Sequence, residues 1–246
     1  MELITSIKSA VFISLRTHGR GAGIGRRVRR RLRLLWLIGV LGISGCGSER
    51  LLSVRFEQDH VNSEPNIDQE IGRCREGLFG TVRVVRFASS NMIRLTQAEQ
   101  AGSPPATLRC AFPVFRGEGR YLFTMRMFIP TGSAASILFQ DAGANPTDFF
   151  RVDFPKTGLL HAPGSTATAG RFPHDKIFSV AVNLHIGSSS TVEVTLLGKA
   201  HGSFTADVAD NLEFIARNFS AVQIQTGARD PGSSFVADDL LVVFNP

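Results

Sequence analysis

The sequence predicts an all-β chain: two antiparallel sheets packed as a sandwich, with at most one or two short helices. Three observations carry this reading. Apolar and polar residues alternate with period two along Tyr121–Ile129 and Phe178–Ile186, as half-buried strands require. Gly, Pro, Asn and Asp cut the remaining chain into about a dozen short runs, with almost no helical periodicity. Phenylalanine is abundant, 19 residues against one Trp and one Tyr. It supplies large apolar area with no polar atom to satisfy, which suits a core about 10 Å thick between two sheets.

Taken in order after Cys46, Gly47-Ser48-Glu49-Arg50 reads as a tether. Leu52, Val54 and Phe56 then alternate with Ser53, Arg55 and Glu57 as a first strand. Asn62 to Asp68, with Pro65, is a loop. Gly80 to Phe87 is a β-branched run ended by Ser89-Ser90-Asn91. Met92 to Leu95 and Ala106 to Phe112 are weaker strands. Gly119 to Pro130 is the clearest: Tyr121, Phe123, Met125, Met127 and Ile129 share one face, and Leu122, Thr124, Arg126 and Phe128 the other. Ser136 to Gln140 and Phe149 to Phe154 follow, separated by a polar loop. Phe178 to Ile186 and Thr191 to Leu197 repeat the alternation. Asp207 to Asn218 is the one helical candidate, with Asp207 as its N-cap. Ala221 to Thr226 and Phe235 to Phe244 close the chain.

The order of these runs is similar to the concanavalin A-like, or laminin G-like, jelly rolls of secreted bacterial proteins. The resemblance is carried by Phe56-Glu57-Gln58-Asp59, Phe150 to Phe154, Phe178 to Leu184, Thr191 to Gly198 and Phe235 to Val242 with its Asp238-Asp239 pair. It covers residues 52–246 and implies that the first and last strands pair.

The segment before Cys46 has a different character. The basic run Arg26 to Arg33 precedes the apolar run Leu34 to Ile43, then Ser44-Gly45-Cys46. Basic, apolar and small regions in that order make a secretory signal. The apolar run is too short to cross a bilayer core of about 30 Å at 1.5 Å per residue. Ile43-Ser44-Gly45-Cys46 resembles the lipobox of bacterial lipoproteins, which implies cleavage before Cys46 and acylation of its sulfur. Gly47, where an Asp would by that analogy retain the protein in the inner membrane, implies, for a Gram-negative host, delivery to the outer membrane, on its periplasmic or surface side. Residues 1–25 exceed what such a signal needs, and a start at Val28 would give one of ordinary length. The chain therefore divides into an N-terminal extension and signal peptide (1–45), a lipidated tether (46–51) and a jelly-roll domain (52–246).

Charge follows the same division. Residues 1–45 hold nine basic residues and one acid, so totals of 27 and 21 leave 18 and 20 in the mature part. A domain with a net charge near −2 has no broad field to attract a phosphate backbone, which excludes a general nucleic-acid binder. With Cys46 taken by lipid, Cys74 and Cys110 remain, and in an oxidising compartment they are expected to pair.

Few residues offer chemistry. Arg126, Gln140, Arg151, Asp153, Asn183, His185 and Glu193 point away from the core by alternation and form the candidate ligand face. Arginine forks suit carboxylates, and the mature part lacks the Trp platform that neutral sugars favour, so acidic glycans are the expected ligands. Glu57, Asp59, Asp238 and Asp239 are candidates for a structural calcium site, since calcium takes six to eight oxygens. No other cofactor is expected. Binding rather than catalysis is the primary expectation, and no residue is assigned a catalytic role. The alternative is a polysaccharide lyase or a glycosidase, the latter needing carboxylates such as Asp153 and Glu193 about 5–10 Å apart. A further alternative is a structural envelope protein with a protein partner.

Overall fold

In the computed structural model the chain divides into two units, Met1–Gly45 and Cys46–Pro246. The structure describes residues 47–66, 68–114, 116–141, 146–161, 170–187, 191–197, 203–207, 218–227 and 230–246, with backbone alone at 191–197 and 203–207. All described residues belong to the second unit.

Thirteen strands are described: β1 (Glu49–Val54), β2 (Arg73–Glu76), β3 (Thr81–Phe87), β4 (Ser90–Thr96), β5 (Thr107–Ala111), β6 (Gly119–Phe128), β7 (Ala135–Asp141), β8 (Asp148–Phe154), β9 (Ile177–Ile186), β10 (Thr191–Leu197), β11 (Ser203–Asp207), β12 (Phe219–Thr226) and β13 (Ser234–Asn245). Eight form one sheet in the order β11-β10-β9-β6-β13-β4-β3, with β1 also paired to β13. Five form the other, β2-β5-β12-β7-β8. Every pairing is antiparallel, and the first strand pairs with the last. The expected sandwich is what forms.

The core follows the alternation read from the sequence. Tyr121, Phe123, Met125 and Met127 of β6 are buried against the opposite sheet. There Phe139 sits among rings, 5.5 Å from Phe123 and 5.8 Å from both Phe150 and Phe219, centroid to centroid. Each fully buried Phe contributes roughly 1.5–3 kcal/mol through lost apolar exposure. The single Tyr keeps its hydroxyl satisfied: Tyr121 donates to the Gly117 carbonyl at 2.6 Å. Burial pushes that phenol up to about 12.

Three elements differ from the expectation. Strand β1 starts at Glu49 rather than Leu52, so the second half of the expected tether, 49–51, is already in the sheet. Glu49 pairs with Phe244 and accepts two hydrogen bonds from Arg116, each 2.6 Å. Strand β2 was not visible in the sequence because Arg-Cys-Arg-Glu offers a single core residue, Cys74. Strand β11 ends at Asp207, where a helix was expected to begin; residues 208–217 lie outside the described residues.

Candidate functional site

The sandwich has two outer faces, and the register of the strands assigns each outward side chain to one of them. On the five-stranded sheet, residues at one level across all strands share a face. One such row is Arg75, Arg109, Gln223, Leu138 and Arg151. On one side of it lies the row Thr107, Gln225, Ser136 and Asp153, extended by His161, which bridges to Asp153 beyond the sheet edge. On its other side lie Arg73, Ala111, Ala221, Gln140 and Asp148. Apart from Leu138 and the alanines, every position is polar.

These polar groups are tied to one another. Arg109 Nε donates to Gln140 Oε1 at 2.8 Å, and Gln140 Nε2 donates to Asp148 Oδ1 at 2.9 Å and to Gln223 Oε1 at 3.4 Å. Gln223 Nε2 donates to Gln225 Oε1 at 3.0 Å. At the β8 edge, Ser136 Oγ donates to Asp153 Oδ1 at 2.7 Å. Arg151 Nε lies 3.0 Å from Asp153 Oδ2, and His161 Nδ1 lies 3.6 Å from it. Gln140, Gln225 and Ser136 are buried while Arg75 and Arg151 are exposed. A buried, satisfied amide layer with exposed arginine forks above it is pre-organised for oxygen-rich ligands, because little side-chain freedom remains to be lost on binding.

The outer face of the eight-stranded sheet is built differently. Arg126 stands opposite both Ser179 and Asp238. Its Nη2 hydrogen-bonds Asp238, whose side chain is buried, and its Nε lies 2.8 Å from Asp239 Oδ2, out of line for a hydrogen bond. Asp239 also lies 3.7 Å from Arg55. The pair falls at a bulge in β13, with Asp239 at φ +53°, where β13 gives up β4 as its neighbour and takes β1. Burial, and then the charge of Asp239, push the Asp238 carboxyl up to about 6 despite Arg126.

Asp238 is buried on an outward-facing position because the β3–β4 hairpin bends over it. By register, Phe87 and Phe128 would stand roughly 19 Å apart on a flat sheet, three strands over and four residues along. Their ring centroids are 4.6 Å apart. Asn91, at the base of the hairpin tip, donates to the Asp59 carbonyl at 2.9 Å and accepts from Arg86.

The seven residues expected on one ligand face therefore divide, and this corrects the single-face reading. Gln140, Arg151 and Asp153 belong to the five-stranded sheet; Arg126, Asn183, His185 and Glu193 belong to strands of the eight-stranded sheet, on the other side of the sandwich. Alternation tells inward from outward along one strand but not which sheet the strand joins. Asn183 and His185 are exposed there, and Glu193 pairs opposite Asn183. Asp153 and Glu193 lie in different sheets, whose backbones are about 10 Å apart with Asp153 pointing outward, so they do not flank one bond as a glycosidase pair must. Sequence reading missed Arg75, Arg109, Gln223, Gln225 and His161. The alternating segments Arg73-Cys74-Arg75 and Gln223-Ile224-Gln225 carry the signal for three of them, Arg75, Gln223 and Gln225.

The four carboxylates considered for calcium fall into two pairs with different partners. Glu57 and Asp59 line an acidic cleft with Asp68 and Glu70, and Asp59 accepts from the Asn66 amide at 3.1 Å. Asp238 and Asp239 are engaged by Arg126. Among the described residues, no three of His, Cys, Asp and Glu come together as a metal site. Cys74 and Cys110 do form the expected disulfide. They are direct partners on β2 and β5, with Cα atoms 4.0 Å apart, and both are buried. Cys46 lies outside the described residues.

No protein-family model matches the chain, and no curated protein matches it by sequence. Solved structures do match by shape. A carbohydrate esterase of the Shiga toxin-encoding bacteriophage phi24B is 14% identical, at a TM-score of 0.54 over 81% of this chain and 100% of its own. The catalytic domain of a glycoside hydrolase family 131 protein from Coprinopsis cinerea is 12% identical, at 0.54 over 80% and 95%. Lectin I from Ulex europaeus, in complex with a methyl glycoside of α-L-fucose, is 10% identical, at 0.50 over 80% and 98%. At these identities the likeness is one of fold: Cys46–Pro246 contains a lectin-like, concanavalin-type jelly roll.

Proposed function

We propose that the protein is a lipid-anchored envelope lipoprotein whose jelly roll binds an acidic glycan, without turnover, on the outer face of its five-stranded sheet. The observation that carries this reading is the hydrogen-bonded array from Arg109 through Gln140, Gln223 and Gln225, flanked by Arg75 and Arg151. A merely solvated face does not need amides on β7 and β12, two of them buried, joined to one another and to an arginine on β5. Acyl attachment at Cys46, export to the outer membrane and residence on the periplasmic or surface side belong to the same proposal, supported by the Ile43-Ser44-Gly45-Cys46 sequence.

The test is equilibrium binding of polyuronate, sulfated and neutral polysaccharides to the full chain in detergent. Gln223→Ala with Gln225→Ala should weaken polyuronate binding by about tenfold or more while the fold is retained. Unchanged binding in that variant would move the ligand to another face.

A further inference from the structure

Resting on the glycan-binding face proposed above, we infer that Arg75 and Arg109 form the seat for the carboxylate of a uronate residue. Arg75 of β2 stands directly opposite Arg109 of β5, on the same outer face. The adjacent pair in the same register, Cys74 and Cys110, is joined by the disulfide, so these strands cannot slip to separate the arginines. Like charges placed directly opposite in an antiparallel pair destabilise it. A covalent lock that holds two such charges together is unfavourable for the sheet alone and useful for an anion between them.

Neither guanidinium is neutralised by a carboxylate contact among the described residues. Arg109 donates from Nε to the neutral Gln140 amide and from Nη2 to the Asp141 backbone carbonyl at 3.5 Å. Burial holds the Arg109 guanidinium below its ordinary range; the charge of Asp141 opposes this and the charge of Arg75 adds to it. Arg75 is exposed. Arg73, one level along β2, is already matched to Asp68 at 2.9 Å, which sets it apart from the pair. Gln140 and the Asp141 carbonyl thus fix Arg109 by Nε and Nη2, which leaves Nη1 to a ligand. The row continues from the arginines to Gln223, a neutral amide suited to hydroxyls. Two forks followed by an amide match a sugar that carries one planar carboxylate and several hydroxyls.

The experiment compares wild type, Arg75→Gln and Arg75→Glu as full-length chain in detergent. Affinity for polygalacturonate, dextran sulfate and neutral dextran is measured, together with melting temperature without ligand. Wild type is expected to bind polygalacturonate. Arg75→Gln should lose about tenfold or more of that affinity while melting roughly 1–3 °C higher, because like-charge repulsion is relieved. Arg75→Glu should lose binding and melt higher again, since it gives Arg109 an opposite charge. A melting temperature that falls in both variants would mark Arg75 as structural and overturn the seat. Polygalacturonate binding that survives Arg75→Gln but is lost in Gln223→Ala with Gln225→Ala would overturn the seat and leave the face standing. Preference for dextran sulfate over polygalacturonate would overturn the carboxylate assignment. If wild type binds none of the three, the glycan reading itself fails and the seat with it.

Discussion

Arg126 on β6 stands directly opposite Asp238 on β13, and its guanidinium closes on a carboxylate that is buried although it points away from the sandwich core. The arrangement follows from three local facts. The bulge at Asp238 and Asp239 puts two acids at the point where β13 changes neighbours. The β3–β4 hairpin bends over that point, bringing Phe87 against Phe128. Asp238 then has one oxygen on Arg126 and its other oxygen, Oδ1, buried without a hydrogen-bond partner. A carboxylate so placed is costly to ionise, since burial removes its water and Asp239 repels it.

This makes folding stability depend on pH with a definite sign. Asp238 titrates near 3.8 when unfolded and at about 6 when folded. Between those values the folded chain holds a proton that the unfolded chain has lost. The contribution is complete below about pH 4 and fades as pH rises through 6, and it amounts to something on the order of 3 kcal/mol. Denaturant unfolding of wild type and Asp238→Asn from pH 4 to 7.5 isolates it. The variant should gain relative to wild type as pH rises, because Asn cannot ionise. A pH-independent difference between the two would show that Arg126 keeps Asp238 charged throughout.

The disulfide is a second source of stability. It closes a loop of 36 residues between directly paired strands, and on the chain-entropy model contributes about 3–4 kcal/mol. Cys74→Ala with Cys110→Ala should lower the melting temperature by roughly 10 °C in a chain of this size. Alkylation of native protein should find no free thiol before reduction and two after it. Free thiols in protein taken from an oxidising compartment would contradict the pairing.

Anchoring is tested at Cys46. Cys46→Ala precursor should remain uncleaved and take up no labelled acyl chain. Because β1 starts at Glu49, Gly47 and Ser48 are the only residues between that cysteine and the sheet. Anchored protein should therefore hold its Glu49 end within roughly 10 Å of the attachment point, three residues at about 3.5 Å each. Normal maturation of the Ala variant, with continued membrane association, would show that another segment holds it.

How much of this was legible depends on how far each feature reaches along the chain. The faces of β6 and β9 were readable because alternation is local, and Tyr121, Phe123, Val180 and Val182 fell inward as their spacing requires. Strand β2 was not, although the pairing of Cys74 with Cys110 was expected, because Arg-Cys-Arg-Glu shows one core residue and no apolar alternation. The start of β1 was hidden by distance: Glu49 looks like tether until Arg116, 67 residues on, is placed beside it. Above all, period two sorts a strand into inner and outer faces and carries no information about which sheet receives it. Arg126 and Arg151 look equivalent in the sequence, and only the order β2-β5-β12-β7-β8 separates them.

That separation yields the sharpest prediction. Arg151 is exposed on β8 and shares Asp153 with Ser136 and His161. Removing it leaves Asp153 with the Ser136 hydroxyl, His161 and solvent, so Arg151→Ala should change stability by well under 1 kcal/mol while weakening acidic-glycan binding. Arg126 has the reverse profile. Its removal strands Asp238 under the β3–β4 hairpin beside Asp239, a loss of about 3 kcal/mol if the carboxylate stays charged and less where it takes up a proton. Arg126→Ala should therefore melt several degrees lower at pH 7.5, recover part of that loss at pH 5, and bind glycan as wild type does when folded. Calorimetric unfolding and glycan titration of the two variants side by side decide the matter. If Arg126→Ala abolished binding with its melting temperature intact, the ligand would sit on the eight-stranded sheet, and the array from Arg109 to Gln225 would be scaffold.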